Sequence, residues 1–327
     1  MRINRLHLED YRNYGALSVD LPPGALLFEG TNGAGKTNLL EAVYFLSMCR
    51  SFRLGRDRDV VSRGAAKTLV RAEAVGRDGT VSFALEYDLR TPEKRASYNG
   101  NRVLKLVDYI GALPAVAFHP EDMEIVKGPP VLRRRFMDHW LVQYDRQYIY
   151  LLKRYNDALS QRNALLRSYA GSATARPEYD AITETMVKAG AGIVASRADK
   201  ITELAGFAAL DYVALTGDGE ELEVKYRPNA AGTEDPDVFK NALSARAGDE
   251  RRFKRTLVGP HLDDLRFDIS GSDARRFASQ GQQRTVVLAL RLAQFRAAAE
   301  NLGEVPLLLL DDAFSELDRG RMGHLAE

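Results

Sequence analysis

Residues 30–37 read Gly30-Thr31-Asn32-Gly33-Ala34-Gly35-Lys36-Thr37 and fit G-x-x-x-x-G-K-[ST] at every fixed position. Each residue type has a chemical reason. Glycines let backbone N–H groups curl around phosphate oxygens, a lysine at this spacing reaches the β- and γ-oxygens, and the hydroxyl beside it is a hard ligand for magnesium. A second candidate is the pair Asp311-Asp312, which follows four leucines, Leu307 to Leu310. Two carboxylates at the end of an apolar strand are costly as core, whereas one facing a metal and one beside an attacking water make chemical sense. The third is Ser279-Gln280-Gly281-Gln282-Gln283-Arg284, which opens an apolar helical pattern. Its Ser suits an ordinary helix cap, and its free amides and dipole suit an anion. A phosphate loop elsewhere in the chain favours the anion.

These groups need elements to hold them. The apolar run ending in Phe28 reads as a strand and the pattern from Leu39 as a helix, so the loop joins strand to helix. Residues 305–310, VPLLLL, suit a strand buried on both sides of a parallel sheet, with Asp311 and Asp312 at the edge where ligands bind in open α/β sheets. Residues 1–118 read as strand-rich after the first βα unit. VSFALEYDL (81–89) alternates, and RASYNGNRV (95–103) carries the hairpin signal Asn99-Gly100. From Pro120 the texture becomes helical: patterns over 131–170 and 178–207 flank the loop GSATARP (171–177) and predict an arm, and ELEVKYRP (221–228) predicts a returning strand. The expected class is α/β, with a discontinuous core lobe over 1–118 and 256–327 and a mostly helical lobe over 119–255.

Composition narrows the class without naming a reaction. Lys+Arg number 46 and Asp+Glu 45, so no overall basic field announces nucleic acid and any such contact must be local. The single cysteine, Cys49, excludes an internal disulfide and sits in the apolar continuation of the loop helix, where a buried thiol is expected. No Cys/His spacing suggests zinc. No stretch approaches about 18 unbroken apolar residues and the N-terminus has no signal-peptide core, which makes the cytoplasm the expected location and a membrane an unexpected partner.

Taken in chain order, Gly30 to Thr37, Ser279-Gln280-Gly281-Gln282, Leu307 to Asp312 and Ser315-Glu316-Leu317-Asp318 resemble the Walker A, signature, Walker B and D-loop of ABC-type ATPases. The stretches LHLEDYRNY, TNGAGKTNLLEAVYFLSMCRSFR, FHPEDMEIVKGPPVLRRRFMD, VGPHLDDL and SQGQQRTVVLALRLAQ narrow the resemblance to the RecF family of bacterial recombination mediators, related to SMC-class ATPases. The likeness spans nearly the whole chain. It implies an ABC-type head, a P-loop core with an antiparallel β subdomain, joined to a mostly helical second lobe. It implies ATP and Mg2+ as cofactors, with Gly30, Asn32, Gly33, Gly35, Lys36, Thr37 and Asn38 on the nucleotide, Lys36 and Asp312 catalytic, and Thr37 and Asp311 on magnesium. Ser279, Gly281, Gln282 and Asp318 would complete the nucleotide site, Ser279 and Gly281 against the γ-phosphate bound by a partner copy. Asp312 stands where most ABC ATPases have Glu, and its shorter arm suits a slow switch. Arg12 and Asn13 match a family position beside the nucleotide, and His119 and Glu121 match the γ-phosphate-sensing loop. His261, Asp263 and Asp264 resemble the family G-P-H motif, with Leu262 where a basic residue is usual and no chemistry assigned.

The same resemblance implies double-stranded DNA at single-strand/double-strand junctions as ligand, an ATP-dependent homodimer, weak DNA-stimulated ATPase activity, RecO and RecR as partners, loading of RecA, and association with the nucleoid. Arg50, Arg53, Arg133, Arg134, Arg135, Arg251 and Arg252, the last two followed by Lys254 and Arg255, are the candidate DNA contacts; such runs are otherwise solvated helix faces. Phosphate contacts make binding steeply salt-dependent and nearly indifferent to base sequence. Two other readings stand. A transporter's ATP-binding subunit has no need of the long interval between Lys36 and Ser279, and a non-catalytic DNA clamp glued by ATP would release no phosphate with or without duplex DNA. An ABC core continues past the D-loop with another strand and, in many members, a switch His; the sequence ends at Glu327, so no such His is assigned.

Overall fold

The computed structural model describes residues 1–53, 55–143, 145–168, 176–217 and 219–312. In order the elements are β1 (Arg2–Tyr11), β2 (Tyr14–Asp20), α1 (Lys36–Met48), β3 (Lys67–Gly76), β4 (Gly79–Asp88), β5 (Glu93–Tyr98), β6 (Asn101–Arg102), β7 (Ala115–Phe118), α2 (Glu124–Lys127), α3 (Pro130–Leu141), α4 (Arg146–Ser168), α5 (Arg176–Thr216), β8 (Leu222–Arg227), α6 (Pro236–Phe253), β9 (Asp264–Ile269), β10 (Ser272–Asp273), α7 (Ala274–Phe277), α8 (Gln280–Leu302) and β11 (Leu307–Leu310). The chain divides into two compact units, Met1–Met123 with Leu288–Glu327, and Glu124–Val287. The second division falls inside α8, later than the resumption of the core at 256 that the sequence predicts. Residues 256–287 go with the second unit because β9 pairs antiparallel with β8 and because Asp263 and Asp264 hold arginines of that unit.

The first unit contains an antiparallel sheet in the order β2-β1-β3-β4-β5-β6 and a parallel pair, β11-β7. Period-2 alternation in β1 sends Leu6 and Leu8 inward, where both are at most 1% exposed. Asn99 and Gly100 both take positive φ (49° and 76°) between β5 and β6, as a two-residue I′ hairpin requires. Helix α1 carries no clean polar face, and from Glu41 to Met48 every side chain is buried. Cys49 ends this helix; burial pushes its thiol up to about 12, the behaviour of a packing residue. The expected strand ending at Phe28 is not formed. Beyond the Leu21 N–H, which donates to the Asn4 carbonyl of β1, residues 22–30 pair with no described strand and Leu27 is 78% exposed, since an apolar run becomes a strand only where a neighbour supplies the ladder. β11 does find one: Leu310 lies opposite Phe118 of β7, and Asp311 N–H donates to the Phe118 carbonyl at 2.9 Å.

The second unit packs α4 against α5, a helix of 41 residues, with the sheet β10-β9-β8 beside them. The helical pattern over 131–170 is two helices, α3 and α4, and α5 runs past 207 to Thr216. A buried polar network locks these parts. Arg197 of α5, 2% exposed, donates to Asp263 (3.0 Å), Asp138 (2.8 Å), the Tyr148 hydroxyl (3.0 Å) and the Pro260 carbonyl (2.8 Å). Asp263, 1% exposed, also accepts from the Tyr226 hydroxyl and from Asn229 N–H at 2.7 Å. Arg162 similarly joins Glu250 (2.6 Å), Thr256 and Thr183. Among the described residues, then, the carboxylates of the motif His261-Leu262-Asp263-Asp264 neutralise buried guanidinium groups, Asp263 that of Arg197 and Asp264 that of Arg133. Gly259, at φ 135°, opens this turn because a Cβ there would overlap the Tyr155 hydroxyl and the Phe239 ring.

His261 stands among Tyr155, Arg134, Arg162 and Asp263, and burial lowers its pKa to about 4. The unfolded chain, near 6.5, binds the proton more tightly. Stability is therefore intact above about pH 6.5 and falls as pH drops toward 4. Between pH 7.5 and 5 the parental protein should lose about 2 kcal/mol relative to His261→Gln. Denaturation followed by fluorescence of Trp140, the single tryptophan and buried in this unit, measures the difference. Parallel pH curves for the two proteins would contradict the assignment.

Candidate nucleotide site

The phosphate loop is built by its glycines. Gly33 and Gly35 take φ of 84° and 108°, and Gly35 then caps α1, so the first amides of the helix point toward the loop. Lys36 Nζ curls over the loop, donating to the carbonyls of Gly30 (2.7 Å) and Thr31 (3.1 Å). A side chain at Gly35 has no room, because an added Cβ would lie 2.7 Å from Asn13 Nδ2 and 2.8 Å from the Tyr14 hydroxyl.

That crowding identifies the turn between β1 and β2 as the loop's lid on one side. Asn13 donates to the Ala34 carbonyl (3.3 Å), Tyr14 to the Gly35 carbonyl (3.2 Å), and Asn38 to Asn13 Oδ1 (2.7 Å). Arg12 holds the turn in place. It adopts left-handed backbone (φ 53°), with its N–H on Val60 and its guanidinium forked on Glu41 at 2.8 and 2.5 Å. Glu41 is fully buried and also accepts from Ser51, while Arg53 reaches Asn38 at 2.8 Å. Arg12 and Arg53 thus brace the loop through Glu41 and Asn38. Neither Tyr14 nor Glu41 was singled out in the sequence; a lone Glu inside NLLEAVYFL was the available signal, since a charge in an apolar helix demands a partner.

The carboxylate-bearing end of β11 meets the start of α1 here as well. Thr37 Oγ1 donates to Asp311 Oδ1 at 2.8 Å, joining the first turn of α1 to the end of β11. A hydroxyl and a carboxylate side by side are hard oxygen donors, the ligand chemistry that fits Mg2+. Asp312 follows, exposed and in left-handed backbone (φ 53°). Across the parallel pair, at the end of β7, His119 is packed inward: it stacks on Phe52 (4.6 Å between centroids, 13° apart) and its Nε2 lies 3.1 Å from Asp122, which is forked by Arg291. Burial lowers its pKa despite the nearby carboxylate. His119 is therefore part of the packing, and Glu121 is the exposed member of that pair.

In the second unit, Ser279 caps α8 reciprocally: Gln282 N–H donates to Ser279 Oγ (3.2 Å) and Ser279 N–H to Gln282 Oε1 (2.9 Å). Gln282 also donates to Glu220 at 2.8 Å, so its side chain is engaged within the unit. Ser279 and Gly281 are exposed. Asp318 lies outside the described residues.

The arginine candidates separate. Arg133 is not a DNA contact: it is 3% exposed at the side chain, forks Asp264 at 2.5 and 3.1 Å, and donates to the Gly128 carbonyl at 2.9 Å. A buried guanidinium matched to a carboxylate and a helix end cannot reach a phosphate without unfolding its surroundings. Arg134 is half-buried on the Asp263 carbonyl (2.8 Å), and Arg135, 3.4 Å from His139, is also only partly exposed. Arg50, Arg251 and Arg252 are exposed.

Residues 2–327 match the family described as RecF/RecN/SMC N terminal domain. The chain is 41% identical to a DNA replication and repair protein RecF of Symbiobacterium thermophilum, covering 99% of this chain and 88% of that one, and 39% identical to its namesake in Thermosynechococcus vestitus, covering 100% and 87%. Solved structures of the recombination mediator protein RecF-ATP and RecF-ATPrS in the RecFOR pathway superpose with TM-scores of 0.93 and 0.90, each at 30% identity over 99% of this chain and 88% of the other. A phosphate loop braced by the Arg12–Asn13 turn, coupled through Thr37 to the end of β11 and carried on an α/β ABC-type head, accords with this likeness, and the chain belongs to the RecF family.

Proposed function

We propose that the chain is an ATP-dependent DNA-binding switch of recombinational repair and replication-fork maintenance. The observation that carries this reading is the 2.8 Å contact between Thr37 and Asp311, which unites the phosphate loop with the strand-end carboxylates. Loop amides and Lys36 would cradle the phosphates, and Thr37 and Asp311 would hold Mg2+, whose chemistry when bound is neutralisation of charge between the β- and γ-phosphates. Asp312 would orient and deprotonate the attacking water. Ser279 and Gly281, exposed at the start of α8, would close on the γ-phosphate of a second copy, so that ATP joins two heads and hydrolysis releases them. The names of its relatives support a place beside RecO and RecR, with duplex DNA near single-strand gaps as ligand and RecA loading as outcome.

Asp312→Asn removes the proton acceptor and keeps the shape. ATP binding should stay within about twofold of the parent, dimers should persist, and hydrolysis should fall about a hundredfold, the low end of general-base contributions. A parental hydrolysis rate in the variant would refute the role. Phosphate release should also rise with duplex DNA; none under either condition would favour a clamp that uses ATP only as glue.

A further inference from the structure

The end of α6 carries Arg251-Arg252-Phe253-Lys254-Arg255, and all five residues are exposed, Phe253 by 54%. Among the described residues none of the four cations makes a side-chain hydrogen bond or ion pair; Arg252 only lies over the Phe253 ring, 5.5 Å from its centroid. This contrasts with Arg12, Arg133, Arg162 and Arg197, each spent on a carboxylate. Four unneutralised charges in five residues are concentrated in a chain whose net charge is +1.

The stretch is held on a fixed base. Glu250, immediately before it, is fully buried, accepting from Arg162 (2.6 Å) and Leu257 N–H (2.8 Å). Thr256, immediately after it, is buried on Asn163 and Arg162, with bonds of 2.7 Å from its N–H and 2.7 Å to its hydroxyl. Between these anchors Lys254 takes left-handed backbone (φ 54°), and the chain projects as a short knuckle. Little ordering entropy remains to be lost when such a segment meets a ligand.

We propose that residues 251–255 bind single-stranded nucleic acid, the cations holding phosphates and Phe253 stacking an unpaired base. Charge complementarity selects a polyanion. The aromatic selects its form, because a duplex hides its base faces in the stack whereas a single strand offers them to an exposed ring. An acidic peptide would satisfy the charges but leave the ring without a flat partner. The inference rests on the DNA-binding reading above and assigns to this knuckle the single-stranded side of a junction.

The experiment compares labelled oligo-dT, a blunt duplex and the same duplex with a dT tail, bound to the parental chain, Phe253→Ala, Phe253→Tyr and Arg251→Gln/Arg252→Gln. Phe253→Ala should weaken oligo-dT and the tailed duplex on the order of tenfold and leave the blunt duplex within about twofold, with an unchanged salt slope. Phe253→Tyr should retain parental affinity. The double Arg variant should flatten the oligo-dT salt slope by about 0.7 per lost phosphate contact. Because these side chains are exposed, thermal midpoints should not move. Equal effects of Phe253→Ala on blunt and tailed DNA, or none on either, overturn the stacking proposal while leaving DNA binding intact. Displacement of oligo-dT by polyglutamate as readily as by unlabelled oligo-dT overturns it in favour of an acidic partner, and failure of the parental chain to bind any DNA brings down the underlying reading as well.

Discussion

Two inactive variants, Lys36→Met and Ser279→Arg, should regain ATP hydrolysis when mixed. Lys36 is the cation of the phosphate loop, and its loss removes the group proposed above to meet the β- and γ-oxygens. Ser279 caps α8 in the other unit, and an arginine there blocks the exposed end of the helix. Losing the cap itself costs only about 1 kcal/mol, so the protein should remain folded. In the ATP-joined dimer proposed above, each homodimer would then have two defective sites. If the signature acts on a partner's nucleotide, the mixed dimer gathers both defects in one site and leaves the other intact. The expected recovery is up to about half of the parental rate where the sites act independently. ATP-dependent dimerisation, followed by sedimentation on the same mixture, guards against suppression by coupling between sites. Confirmed mixed dimers with no recovered hydrolysis would show that each chain reads its own phosphate.

The second large effect is on stability. Asp263→Ala leaves Arg197, 2% exposed, with one carboxylate fewer, and deprives the Tyr226 hydroxyl and Asn229 N–H of their acceptor. Breaking a buried ion pair from one side costs about 3–5 kcal/mol, a large share of the 5–15 kcal/mol that a domain of this size possesses. Trp140 fluorescence in denaturant should record this loss in the helical unit. Nucleotide affinity should survive, since the phosphate loop belongs to the other unit. Replacing Arg197 as well, by Met, should recover part of the loss because no naked charge is then left buried. A change below about 1 kcal/mol in the single variant would remove Asp263 from the centre of the network.

The phosphate loop and the helix cap could be read from the sequence because their geometry is local. Gly35 and Lys36 act within a few residues of their partners, Lys36 reaching Gly30 six positions away, so residue type and spacing nearly determine the structure. The same holds for the Asn99-Gly100 hairpin and for Ser279 with Gln282. Three arginines in a row, by contrast, looked alike. Helical geometry separates neighbours by about 100° and so guarantees that they face different ways, but nothing local says which one faces inward. Arg133 is buried because Asp264, 131 positions later, arrives beside it, and Arg197 because Asp263 arrives 66 positions later. The run Arg251-Arg252-Phe253-Lys254-Arg255 was no more basic to the eye, yet its side chains stay exposed because only the flanking Glu250 and Thr256 find buried partners. Composition and local pattern determined which residues could meet phosphate. Long-range burial and ion pairing, which depend on chain segments far apart in sequence, decided which of them are free to do so.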